Sequence, residues 1–353
     1  MTTLCVALIV KNEQHVIERC INSFKNHIDY WVICDTGSTD DTKEIISDKL
    51  RDIPGELHET EWKDFGHNRS ELMKLCFNKA DYILLIDADM ELRVNDLNFT
   101  DELYHTSYML KYEGDMYFRQ KMLVKGDINW RYEGVTHEYI IGEGDISAGP
   151  TDLVSLVHYS DGSRHSYKNQ EDVSLLEKSV ENNPDNPRDV FYLAQSYECN
   201  GDLEKASEMY KRRSEMGGWD EETYIAKLRR AECISKNPED SHYPIGLYID
   251  ALKFRPFRFE AAYRVINYFR RKRLYKFSHD MSLDYLRKAE TEDLLFVDKT
   301  AKNYKIPLEY ALSCFHVGKK DVCFRVCEDY VKRVIMPSEY RECFENILRF
   351  RHS

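Results

Sequence analysis

Three short apolar runs, LCVALIV (residues 4–10), YWVICD (30–35) and YILLID (82–87), constrain the fold of this chain more than anything else in it. Each is apolar at consecutive rather than alternate positions, so a strand made from it has two apolar faces. Such a strand belongs inside a parallel sheet with helices on both sides. Parallel neighbours need a crossover, and the sequence supplies one: HVIERCINSFKN carries Val16, Ile17, Cys20, Ile21 and Phe24 at helical spacing. After the second run comes TGSTDDTKEII, where Gly37 permits a tight turn and Ser38, with Asp41 three residues on, predicts a helix N-cap. ELHETEW (56–62) reads as a third strand and HNRSELMKLCFNKA as a third helix. The first 90 residues therefore form half of a doubly wound α/β domain, in which ligands sit at the carboxyl ends of the strands. Asp35 and Asp87 fall at two such ends.

From about Lys168 the pattern becomes helical only. VFYLAQSYECNGDLEKASEMYKRR places Val190, Leu193, Ala194 and Tyr197 on one face, turns at Asn200 and Gly201, and resumes with Leu203, Ala206 and Tyr210. That is a helical hairpin. Similar pairs begin near Tyr224, Tyr263 and Tyr310, at spacings of 32, 39 and 47 residues. The first spacing fits a tetratricopeptide-like repeat near 34 residues, and the others imply longer connections. A hairpin of this kind buries its apolar face by stacking on its neighbour, so a solenoid is expected. The polar stretch GSRHSYKNQED marks the boundary, giving domains 1–165 and 166–353.

Composition excludes some functions. A formal charge of -12 and a pI near 5.5 leave no basic face for phosphate backbones, so no nucleic-acid partner is expected. The longest apolar runs fall far short of the roughly 20 residues that span a bilayer. Lys11, Asn12 and Glu13 interrupt the first run before the apolar core of a signal peptide forms. Ten cysteines are scattered from Cys5 to Cys343 without a C-x-x-C pair. Cys323 and Cys327 share a helical face, where burial is the better reading than metal binding. A reducing, cytoplasmic location is the expectation.

The chemistry centres on YILLIDADMEL, where Asp87 and Asp89 follow an apolar strand. A D-x-D pair at a strand end has three readings. It forms a solvated turn; or it supplies a phosphatase nucleophile, which usually continues as D-x-D-x-T, whereas Met90 and Glu91 follow here; or its hard oxygens hold Mn²⁺ or Mg²⁺ against a nucleotide diphosphate. Context favours the third. LIVKNE, VICDTGSTDDT, DFGHNRSELM and LLIDADMEL, in this order, resemble family 2 glycosyltransferases of the GT-A fold. The resemblance continues through WRYEGVTHEY (130–139) and LVHYSDGSR (156–164). NPRDVFYLAQSYECNGDLEKASEMYKRRSEMGGWDEETY is similar to the helical repeats that follow the transferase domain in a subset of that family. Residues 93–128 match no motif.

The resemblance implies a GT-A (Rossmann-like) nucleotide-sugar-binding domain ahead of an all-α tetratricopeptide-like domain. It implies a metal-dependent transfer, with inversion, from a UDP-sugar to an acceptor hydroxyl. Val10, Asn12 and Glu13 would orient the uridine, and Asp35 would contact the nucleoside unless it only caps the Gly37 turn. Asp64 and Arg69 would hold the base and the phosphate side, although an arginine on a helix is also an ordinary surface residue. Asp87 would bind ribose or metal, Asp89 metal, with Ala88 lining the donor site between them. His158 resembles the late histidine that many GT-A enzymes use as a metal ligand, and an imidazole beside carboxylates favours Mn²⁺ over Mg²⁺. Glu138 is the candidate base that takes the acceptor proton. The family commonly has Glu-Asp in this region where this chain has His137-Glu138, so His137 stays a candidate for that role. Trp130 would either stack on the acceptor sugar or anchor the core.

Neither the sugar nor the acceptor, glycan or peptide, is readable from the sequence. The alternative function is a scaffold that binds nucleotide sugar without turnover and recruits partners through its helices. Large apolar residues persist to Phe344, Ile347, Leu348 and Phe350, which suggests a homodimer through the helical domain or a last helix packed onto its own solenoid.

Overall fold

The computed structural model describes residues 2–113, 119–145, 148–159, 161–162, 168–236, 243–293 and 295–351. It divides into two compact units, Met1–Asn182 and Asn183–Ser353.

The first unit begins with β1 (Leu4–Val10), α1 (Ile17–Phe24), β2 (Tyr30–Asp35), α2 (Thr42–Leu50), β3 (Gly55–Glu59), α3 (Phe65–Cys76) and β4 (Tyr82–Leu85). These four strands lie parallel in the order β3-β2-β1-β4. The apolar runs behave as expected: β2 buries Trp31 to Cys34, β4 is buried throughout, and α1 buries Ile17, Cys20, Ile21 and Phe24 against them. ELHETEW yields a shorter strand than its apolar spacing suggests, because β3 is the sheet edge and its residues are only half covered. The N-cap expected at Ser38 does not form. Ser38 Oγ instead accepts from Asn12 N at 2.9 Å, and Asp40 Oδ1 accepts from Thr42 N at the start of α2.

The chain continues through β5 (Met90–Val94), β6 (Ser107–Glu113), β7 (Arg119–Lys125), β8 (Trp130–Glu133), β9 (Tyr139–Gly142), β10 (Ala148–His158) and α4 (Lys168–Asn182). The stretch 93–128, silent in sequence, thus supplies two strands of the sheet's second half. The full order is β3-β2-β1-β4-β7-β6-β10-β5, with β7 antiparallel to β4 and β6, and β5 antiparallel to β10. β8 and β9 pair separately as an antiparallel hairpin. This mixed sheet, flanked by helices, is the expected GT-A architecture. Helix α4 belongs to this unit, where Thr136 Oγ1 donates to Asp172 Oδ1 at 2.9 Å. The sequence boundary at 165/166 separated it from that partner because helical periodicity does not say which neighbour a helix packs on.

The second unit contains α5 (Pro187–Cys199), α6 (Leu203–Glu215), α7 (Asp220–Lys236), α8 (Ile245–Phe254), α9 (Phe259–Arg271), α10 (Tyr275–Leu286), α11 (Ile306–His316), α12 (Lys320–Arg333) and α13 (Ser338–Arg349). These are helical hairpins, as the repeat reading anticipates. Asn186 caps α5 ahead of Pro187, Gly201 turns the chain at φ +82°, and Asp202 caps α6. The widest repeat spacing is explained by the long connection from α10 to α11, tied down by Arg255 and Arg258 on Asp293. In α13, Phe344 is fully buried, Ile347 nearly so, and Leu348 packs against the same cluster with Phe324 and Cys327. Only Phe350 of the apolar quartet stands out, at 66% exposure. The last helix therefore covers itself largely on its own solenoid. No helix among the described residues is long and apolar enough to cross a membrane.

Candidate active site

The strand order reverses between β1 and β4, and the carboxyl ends of β1, β2 and β4 meet there. The residues after β1 build the rim rather than present free side chains. Asn12, at φ +56°, accepts Thr39 N on its Oδ1 at 2.8 Å, while Glu13 N donates to Thr42 Oγ1 at 2.8 Å. Val10 O accepts from Thr36 N and Oγ1 at 2.9 and 3.1 Å. The loops after β1 and β2 are thereby stapled together.

Asp35 ends β2 at 1% exposure. Its Oδ1 accepts from Gly37 N and Ser38 N at 2.9 and 2.8 Å, the turn role that Gly37 allows at φ +105°. Its Oδ2 is buried without a hydrogen-bond partner. A buried carboxylate oxygen left this way costs free energy unless something donates to it, as the N–H of a base or a ribose hydroxyl would.

Asp64 caps α3, its Oδ1 accepting His67 N at 2.7 Å, so that oxygen is committed to the helix. Five residues on, Arg69 is no surface residue. Its Nη2 reaches Asp87 Oδ1 at 2.5 Å, and its Nε lies 2.7 Å from Glu138 Oε1 but off the N–H direction, as an ion pair rather than a hydrogen bond. Burial opposes the guanidinium charge, and the Asp87 and Glu138 carboxylates overcome it and raise its pKa.

The loop that brings Glu138 there docks onto the first turn of α3. Phe65 N donates to Val135 O at 3.1 Å, and Gly66 lies so close that a Cβ would sit 2.1 Å from Gly134 O. Glu138 therefore shares Arg69 with Asp87. His137, at φ +51°, faces away toward α4, with Nε2 4.0 Å from Asp172 Oδ2. Trp130 is 4% exposed; its Nε1 donates to Lys125 O at 2.7 Å and its ring lies against Gly142 of the paired strand. The expectation of a sugar-stacking Trp130 gives way to the core anchor, since a buried ring presents no face to a ligand.

Asp89 and His158 come together, with Nε2 3.1 Å from Oδ2. The register of β10 on β5 is the reason: His158 pairs with Met90, one residue past Asp89. Burial works against the Asp89 charge, yet the His158 imidazole and the backbone N–H of Gly162 hold the carboxyl below its usual range. Asp87 is turned to Arg69, and Ala88 is buried between the two aspartates. Among the described residues no group of three metal-ligating side chains forms. A hard carboxylate beside an imidazole fits a divalent cation that takes its other ligands from phosphate and water. Sequence reading singled out none of Tyr132, Asp172, Arg19 and Asp161, whose partners lie far along the chain, although Tyr132 and Asp161 fall within WRYEGVTHEY and LVHYSDGSR.

Comparison with known proteins bears on this geometry. Residues 5–98 match the family described as Glycosyl transferase family 2. The chain is 23% identical over 270 residues to the SPbeta prophage-derived glycosyltransferase SunS of Bacillus subtilis, covering 71% of this chain and 63% of that protein. It is 37% identical over 92 residues to an uncharacterized glycosyltransferase of Rickettsia felis, covering 26% and 30%. It is 32% identical over 93 residues to the TPR repeat-containing protein Synpcc7942_0270 of Synechococcus elongatus, covering 26% and 22%. The match thus spans less than two thirds of the length of SunS. Residues 5–98, the range that matches glycosyl transferase family 2, include Asp35 at the end of β2 and Asp87 just past β4, and a unit of paired helices follows them in the chain.

Proposed function

We propose that this chain is a divalent-metal-dependent glycosyltransferase that moves a sugar from a UDP-sugar to an acceptor hydroxyl with inversion. The observation that carries the reading is the meeting, at one strand switch point, of the Asp89–His158 pair with the Asp87–Arg69–Glu138 ion triad. Asp89 and His158 would hold the cation, Mn²⁺ in preference to Mg²⁺. The chemistry it supplies is neutralisation of charge on the leaving diphosphate. Asp35 Oδ2, buried and without a hydrogen-bond partner, is placed to accept a hydrogen bond from the nucleoside. Glu138 takes the proton of the acceptor hydroxyl, and Arg69 fixes that carboxylate beside Asp87. Glu138 is preferred to His137 as base because it shares Arg69 with Asp87, whereas His137 Nε2 lies 4.0 Å from Asp172 Oδ2.

The test is incubation with a panel of UDP-sugars and Mn²⁺, reading UDP release. Release by the wild-type protein and its loss in Asp89→Ala support the reading. Normal release by Asp89→Ala removes the metal site, and UDP-sugar binding without release by the wild type, with any acceptor tried, supports the scaffold instead.

A further inference from the structure

His158 is the last sheet-paired residue of β10, and the chain that follows it is held from elsewhere. The ladder of β10 with β5 ends at the His158–Met90 pair, and its ladder with β6 ends one residue earlier, at Val157–Glu113. Past that point Tyr159 N donates to Asp89 O at 3.2 Å, tying the chain to the aspartate turn. Among the described residues, α1 and the residues just before it add further restraints.

Arg19 of α1 forks onto Asp161, with Nη1 and Nη2 at 2.8 and 2.7 Å from its two carboxylate oxygens. The same guanidinium lies 4.1 Å over the ring of Tyr159. His15 Nε2 sits 2.8 Å from Asp161 O, so the imidazole donates there. Glu91, beside the aspartate turn, comes within 3.8 Å of Arg19 Nε. Gly162 then returns to Asp89: a Cβ on it would sit 3.3 Å from Asp89 Oδ2. Asp89 is thus flanked by His158 on one side and by Gly162 on the other, with Arg19 gripping Tyr159 and Asp161 between them.

An isolated surface ion pair contributes little. This one differs in kind: a two-pronged carboxylate fork, a stacked ring and a second tie through His15 restrain the same few residues, which lowers the entropy left to lose. We propose that Arg19 is a positioning residue for the cation pair, a clasp that holds the chain after β10 so that the His158 imidazole stays opposite Asp89. The inference rests on the cation reading of Asp89 and His158 made above. It adds a residue from the first helix, 142 positions from its carboxylate partner.

The experiment measures Mn²⁺ affinity of the full chain in the presence of UDP, counting free Mn²⁺ by its electron paramagnetic resonance signal, so no turnover is needed. Arg19→Met keeps the apolar stem, Asp161→Ala removes the partner, and the double variant closes the cycle; Asp89→Asn and His158→Ala are the controls. Arg19→Met and Asp161→Ala are each expected to weaken Mn²⁺ binding about 10- to 100-fold, the range for partners that orient a metal ligand. The double variant should be no weaker than the singles, because both remove the same clasp, and all three should melt with the wild type. If the controls lose Mn²⁺ while Arg19→Met and Asp161→Ala bind it as the wild type does, the clasp is wrong and the cation site stands. If the wild type binds no Mn²⁺, or Asp89→Asn binds it equally, the cation reading fails and the clasp with it.

Discussion

Gly66→Ala tests whether the docking of the 134–138 loop on α3 is what places Glu138. A Cβ at Gly66 would lie 2.1 Å from Gly134 O, and an ordinary contact begins near 3.4 Å, so the loop must retreat by about 1.3 Å. That retreat breaks the Phe65 N–Val135 O bond, now 3.1 Å, at a cost of about 1 kcal/mol. Crowding of a packed contact adds roughly 1–3 kcal/mol. Alanine's helix preference over glycine returns up to about 1 kcal/mol. The net loss is therefore about 1–3 kcal/mol, readable as a lower urea midpoint for the full chain. Glu138, four residues past Gly134, moves with the loop, and a misplacement near 1 Å costs on the order of 100-fold in rate. Steady-state UDP release should show that fall in kcat, while calorimetry with UDP finds donor affinity little changed, since Asp35 and the Asn12 staple lie on other strands. A Gly66→Ala protein with wild-type kcat and a lowered urea midpoint would refute the link between this contact and the base.

Glu138→Gln is expected to slow transfer about 10²- to 10⁴-fold with UDP affinity retained; a large kinetic loss in His137→Ala with almost none in Glu138→Gln would exchange the roles. Trp130→Phe should destabilise by about 1–3 kcal/mol, through the lost bond to Lys125 O and the space left behind, and leave kcat/KM within about twofold; a selective rise in KM for acceptor would restore the sugar-stacking role. Thiol reagents at pH 8 should modify Cys199 and Cys343 in the native protein and all ten cysteines after unfolding, because the other eight are buried and burial pushes the Cys34 thiol up to about 11; rapid native labelling of Cys34 would contradict its packing. Phe350→Asp should leave the mass found by light scattering unchanged, since the rest of the α13 apolar face is covered within its own unit; conversion of a dimer to a monomer would show that the exposed end carries an interface.

What the sequence by itself determined was local. The strands β1 and β2 have the limits their apolar runs suggest, and α1 buries the face its periodicity marks, because a run of consecutive apolar residues or a 3.6-residue period constrains the chain whatever lies far away. Caps and glycine turns of the helical hairpins are likewise written within a few residues. The tertiary structure decided the rest of the site. Arg69 looks like a surface residue until Asp87 and Glu138, 18 and 69 positions away, fold onto it. His158 was singled out only by resemblance, and the β5–β10 register set it against Met90, beside Asp89. Trp130 showed an aromatic ring without showing which side of a hairpin it covers. Residues 93–128 were unreadable because strands such as SYMLKYE carry polar residues that gain their setting only from neighbouring strands. Arg19 was not singled out, nor was Asp161 within LVHYSDGSR: a polar side chain is indistinguishable from a solvated one until the fold brings its partner within hydrogen-bond reach.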